Sequence, residues 1–153
     1  MKVLREFIYK VFVGANDTYA PEDYAFIGSL DECDDYIVKY NHQKQSHIEP
    51  TGYTRGTVIV GLCEGRHEIP GVKDYIFEDI KDPMNFEDLE HRAALWVEEV
   101  KKAEVDVIKL YVTGLTPALT SVIKACAVRH MNLKLMHYDR ETNTYKAQYV
   151  IYA

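Results

Sequence analysis

The stretch Val107-Ile108-Lys109-Leu110-Tyr111-Val112-Thr113-Gly114-Leu115-Thr116-Pro117-Ala118 decides how the chain is read, because an apolar run stops there at a glycine and a helix begins. β-Branched and aromatic residues fill its first half over too few positions for a helix, so that half is a strand. Its second half has the marks of a helix start: Thr116 is expected to cap through its hydroxyl, and Pro117 suits the first helical position, where its missing N–H costs nothing. The stripe Leu119, Val122, Ile123 and Cys126 continues the helix to about His130. Leu133 to Tyr138 forms the next strand, and a strand-helix-strand unit of this length is expected to be parallel and right-handed. After the polar turn 139–143, residues 144–151 return as the second arm of a hairpin.

Upstream, Phe7 to Val13 is a strand ended by Gly14 and the turn residues after it, followed by a loop through Pro21. Tyr24 to Ile27 is a short apolar run, and Ser29-Leu30-Asp31-Glu32 has the spacing of a capping box, which starts a helix at Ser29. Residues 41–55 are polar, carry Pro50 and Gly52, and read as an exposed loop. A strand follows at Gly56 to Leu62, then an extended piece at Asp74 to Phe77. Asn85 caps a helix whose stripe is Phe86, Leu89, Ala93, Trp96, Val97 and Val100; Trp96 is expected to be mostly buried beside Phe86, Leu89 and Val100. The fold class is therefore α/β: one domain over residues 1–153 with a mixed sheet. Its subregions are an α+β lobe at 1–82 (β-β-α-β-β) and a Rossmann-like lobe at 85–153 (α-β-α-β-β).

Composition bounds the function. The 153 residues are 47% hydrophobic and 27% charged, enough for a globular core. Runs of about 20 apolar residues, as a membrane span needs, are absent from the sequence, and its start lacks a signal-peptide apolar region, so a cytoplasmic protein is expected. A net charge of -6 opposes broad binding to double-stranded nucleic acid. Cys33, Cys63 and Cys126 are odd in number and widely spaced, which fits reduced core thiols better than disulfides or a thiolate metal site.

A strand feeding a helix through a small turn is a common anion or nucleotide site, since backbone N–H groups point out of the helix start. Thr113, Gly114 and Thr116 are the candidate ligand-binding residues. The first turn of this helix carries no acid, unlike the other two, so an anion would meet its positive end. Arg140, just past the next strand, joins them as a phosphate partner with planar donors. The same turn also reads as a purely structural strand-to-helix connection.

Tyr111-Val112-Thr113-Gly114-Leu115-Thr116-Pro117-Ala118, the apolar helix after it and Leu135-Met136-His137-Tyr138-Asp139 with Thr142 nearby resemble the core of CARF domains, Rossmann-like sensors of cyclic oligoadenylates in CRISPR systems. In that family the turn is typically Thr-Gly-Gly-Thr-Lys and contacts the nucleotide. The resemblance carries over to Thr113, Gly114 and Thr116; Leu115 stands for the second glycine and Pro117 for the lysine. It covers residues 105–145 and implies a small anionic, nucleotide-like ligand held by a pair of subunits. The chain's ending is also similar to small α/β proteins of phages and prophages, some of which bind defence-signalling nucleotides.

Other constellations carry less. His137 with Asp139 lacks a nucleophile beside it, so no catalytic residue is assigned. Cys63 with His67, and His42 with His47, have no further ligands at metal spacing, and no metal or cofactor is expected. Asp79, Asp82, Glu87, Asp88 and Glu90 surround a helix start, where capping and solvation account for them. The 12 tyrosines are expected mostly as half-buried sheet residues, with a few free to stack on a base. Three readings follow: a nucleotide binder, a ring-nuclease-like phosphodiesterase on the same ligand, or a structural module of a phage or mobile element. The apolar last strand further predicts a homodimer with its site near the subunit junction.

Overall fold

The computed structural model describes residues 1–14, 24–40, 42, 45–66 and 68–152. Strands and helices with both parallel and antiparallel pairing make a mixed α/β fold, as the patterning predicted. In chain order the elements are β1 (Val3–Val13), β2 (Phe26–Gly28), α1 (Leu30–Lys39), β3 (Ser46–Cys63), β4 (Tyr75–Phe77), α2 (Phe86–Lys102), β5 (Val107–Tyr111), α3 (Thr116–Val128), β6 (Asn132–Asp139) and β7 (Thr144–Ile151). Two compact units divide them: Arg5–Arg55, and Met1–Leu4 with the chain from Gly56 onward.

In the larger unit the strand order is β4, β3, β5, β6, β7. Thr57 pairs with Val107, Val107 with Asn132, and Gly61 with Tyr75, all in parallel, while β7 returns antiparallel to β6. The parallel relation of β5 and β6 across α3 is therefore present. Alternation turns Val58, Val60, Leu62, Ile108, Leu110, Leu133 and Leu135 into one core cluster with Leu89, Ala93, Val97 and Val100 of α2 and Ala118, Val122, Ala125 and Cys126 of α3. The two helices pack on each other, which covers most of the apolar circumference of α3. Lys109, Tyr111, Lys134, Met136 and Tyr138 fall on the other face of their strands. On that face Gly61 has no side chain because the ring of Tyr75 lies where its Cβ would stand.

In the smaller unit β2 runs antiparallel to β1, Tyr9 opposite Gly28. The capping box is present: Ser29 Oγ accepts the N–H of Glu32 at 3.3 Å, and Glu32 Oε1 accepts the N–H of Ser29 at 2.9 Å. Glu32 is buried, and its carboxylate also takes the guanidinium of Arg55, which reaches Glu6 at 3.2 Å. Pairing and the extra backbone hydrogen bond offset the desolvation of that buried charge.

Several expectations are corrected. The loop placed at 41–55 is strand from Ser46, because Ile48, Thr51, Tyr53 and Thr54 favour extension and Pro50 and Gly52 did not end it. Gly52 takes φ +81°, which leaves the strand irregular there. Trp96 is largely covered and packs against the core that holds Leu89 and Val100, as expected, whereas Phe86, at the start of α2, is 50% exposed. The loop through Pro21 lies outside the described residues. No helix is long and apolar enough to cross a membrane among the described residues.

Candidate functional site

The connection from β5 to α3 departs from the expected cap. Thr116 is the first residue of α3; the N-cap is Leu115, left-handed at φ 68°, with no side-chain cap bond and Pro117 just inside the helix. Holding leucine there costs about 1–2 kcal/mol, and Leu115 meets that cost by packing against the core. Gly114 is left-handed too, at φ +63°, with open space around its missing Cβ. Thr113 is buried, its hydroxyl accepting the N–H of Cys63 at 3.2 Å and donating to the Cys63 carbonyl at 3.4 Å. That hydroxyl ties the ends of β3 and β5 together. The first turn of α3 contains no acid, whereas α1 has Asp31 and Glu32 and α2 has Glu87 and Asp88. Its positive end is thus the least compensated of the three.

From β3 the chain proceeds to β4 on one side, and from β5 it proceeds to β6 on the other. Such a reversal opens a crevice at the carboxyl ends of parallel strands, where α/β folds hold ligands. A cavity of about 820 Å³ lies at this end. Glu68 and Pro70 line it from the segment after β3, Tyr111 through Gly114 from the end of β5, His137 and Tyr138 from β6, Arg140 and Asn143 from the hairpin turn, and Tyr145 from β7. Three predicted residues, Thr113, Gly114 and Arg140, therefore meet in one cavity. Thr116 does not line it, and Leu115 borders a neighbouring recess of about 290 Å³ with Cys63 and Arg66.

Tyrosines dominate the wall. Tyr145 meets Tyr111 edge-on at 4.8 Å between ring centroids and Tyr138 at 5.3 Å. Burial raises the Tyr145 phenol above its ordinary range, with Tyr111, Tyr138 and Tyr75 adding to the shift. Burial likewise raises Tyr111, opposed by the charge of Lys134. Both phenols stay protonated at neutral pH, as hydrogen-bond donors with intact π faces. Lys109 approaches the Tyr111 ring at 5.8 Å.

His137 and Asp139 are engaged with the neighbouring strand. His137 Nε2 lies 2.7 Å from Gln148 Oε1, so it is not paired with Asp139. Lys146 sits 2.7 Å from Asp139, and its hydrogen bond, the largest cause, holds that carboxyl below the usual range. His47 pairs with Glu49 at 3.2 Å and stacks on Phe12, while His67 lies outside the described residues. Among the described residues no three His, Cys, Asp or Glu side chains gather to hold a metal. In the acidic cluster near α2, Asp82 accepts the N–H of Met84 in the turn before the helix, and Asp88 and Glu90 form ion pairs with Arg92 and Lys124.

Sequence reasoning missed Tyr111, Tyr138 and Tyr145 as a group, along with Asn143, Glu68 and Pro70. A signal existed for one pair: Tyr138 and Tyr145 flank the hairpin turn symmetrically, and that register sets them opposite one another. Fold and site together define a mixed α/β chain with an open, tyrosine-walled cavity at the carboxyl ends of its parallel strands. No family model, curated protein or solved structure matches the chain.

Proposed function

We propose that this is a small ligand-binding protein that holds a nucleotide-type signal, a cyclic oligonucleotide or a relative of one, at the cavity beyond β5 and β6. The observation that carries the reading is the convergence of Gly114 and Arg140 with three tyrosines around about 820 Å³, within the usual range for small-molecule sites. Arg140 supplies a guanidinium for phosphate and the tyrosines supply faces for a base. The resemblance of residues 105–145 to CARF domains points to the same ligand class, and with it to defence or counter-defence in a cytoplasmic setting. Thr113 serves this site through the backbone it anchors, since its hydroxyl is already bonded to Cys63.

Binding without turnover is the preferred form, because among the described residues the cavity presents no free nucleophile and base in contact. We propose further that two copies associate near this site, through the edge strand β7. Thermal-shift measurement against cyclic dinucleotides, cyclic trinucleotides, cyclic tetra-adenylate and adenosine monophosphate tests the proposal. A true ligand at 100 times its Kd should add about 2.7 kcal/mol, a rise of roughly 5–10 °C for a chain of this size. Cleavage of a cyclic probe would select the phosphodiesterase alternative. Silence across the panel would remove the nucleotide reading and favour a structural or interaction module.

A further inference from the structure

We infer that the cavity recognises its ligand by stacking an unpaired nucleobase on Tyr138, a ring fixed in advance by Asn143 and Tyr145; this rests on the nucleotide reading above. Tyr138 is 51% exposed although it lines the cavity, so one face of its ring is open to a ligand. An exposed tyrosine on an edge hairpin is ordinarily free to rotate. Here the phenol O–H donates to Asn143 Oδ1 at 2.9 Å, and Tyr145 leans on the ring at 5.3 Å. Tyr145 is in turn braced edge-on by Tyr111 at 4.8 Å.

Asn143 itself sits at φ +53°, a left-handed turn position that asparagine tolerates better than most residues. That backbone conformation presents the amide to the phenol. The side chain thus has its rotamer chosen before the ligand arrives, so little ordering entropy is lost on binding. With its oxygen accepting from Tyr138, the Asn143 amide nitrogen keeps two donor protons suited to the acceptor edge of a base. Arg140 lies three residues earlier in the same turn and lines the same cavity, so a nucleotide's phosphate and base have a partner each on one wall. A stacking wall discriminates nucleotides from bare phosphates, which have no π face.

Titration calorimetry on the full chain, with cyclic tetra-adenylate, adenosine monophosphate and pyrophosphate as probes, tests this. Removing one base stack should weaken nucleotide binding about 5- to 150-fold, so Tyr138→Leu is expected to lose at least about 5-fold on its nucleotide probe while its pyrophosphate affinity stays unchanged. Tyr138→Trp, with a larger face, is expected to bind the nucleotide at least as well as Tyr138→Phe. If Tyr138→Leu binds the nucleotide as tightly as the parent, stacking on this ring is wrong and the nucleotide reading survives. If Tyr138→Leu loses pyrophosphate as well, Tyr138→Trp decides: no gain over leucine overturns the inference. A parent protein that binds none of these probes and none of the cyclic di- and trinucleotides removes both.

Discussion

Gly61 and Gly114 show two different reasons for a glycine. At Gly61 the need is space, because the Tyr75 ring occupies the position of a Cβ. At Gly114 the space is open and the need is conformational, with φ at +63°. The two therefore respond differently to alanine. Gly61→Ala must push the Tyr75 ring off β3, an overpacking change expected to cost about 1–3 kcal/mol in urea unfolding. An unchanged unfolding midpoint would mean that the ring swings aside freely. Arg55 and Glu32 make the complementary point about charge, since both are buried and each is satisfied by the other together with backbone or Glu6.

Among elements, the three helix starts differ in how their N–H groups are satisfied. α1 has a full capping box, α2 has Asn85 accepting from the Asp88 N–H at 3.2 Å, and α3 has a left-handed leucine with no cap bond. Asn85→Ala should therefore cost about 1 kcal/mol, whereas Thr116→Ala should be neutral or slightly stabilising, since alanine is the better helix former. Chemical denaturation of the two variants side by side checks the contrast. A loss at Thr116 equal to that at Asn85 would restore threonine as the cap. β3 is the other instructive element. Half of it was legible as Gly56 to Leu62, where both faces are buried, but its polar half from Ser46 has no apolar alternation to announce it.

On the scale of the whole molecule, the last strand is the exposed margin. β7 pairs with β6 alone among the described residues and carries Tyr149, half-buried, beside Val150, which is 36% exposed. An edge with such residues invites a second strand. A dimer of the 17.7 kDa chain is expected in sedimentation at micromolar concentration, and Val150→Lys should shift it to monomer. A parent protein that sediments as a clean monomer removes the proposed assembly while leaving the cavity intact.

Local chemistry in the sequence was enough to define the helices and most strands, for two reasons. Apolar spacing at 3.6 or 2 residues reports which face must be buried, and Ser29 and Asn85 mark helix starts by satisfying nearby N–H groups. The strand-Gly-helix turn and Arg140 were legible for the same reason, as short-range signals. Only the tertiary structure decided which of these meet. Parallel pairing of β3 with β5 brought Cys63 to Thr113, 50 residues apart, and used up the threonine hydroxyl. The β6–β7 register set Tyr138 opposite Tyr145, and the β5–β6 pairing brought Tyr111 to the same end of the sheet. A cavity wall made of residues from separate strands depends on strand order and register, which arise from long-range packing and leave no trace in local periodicity.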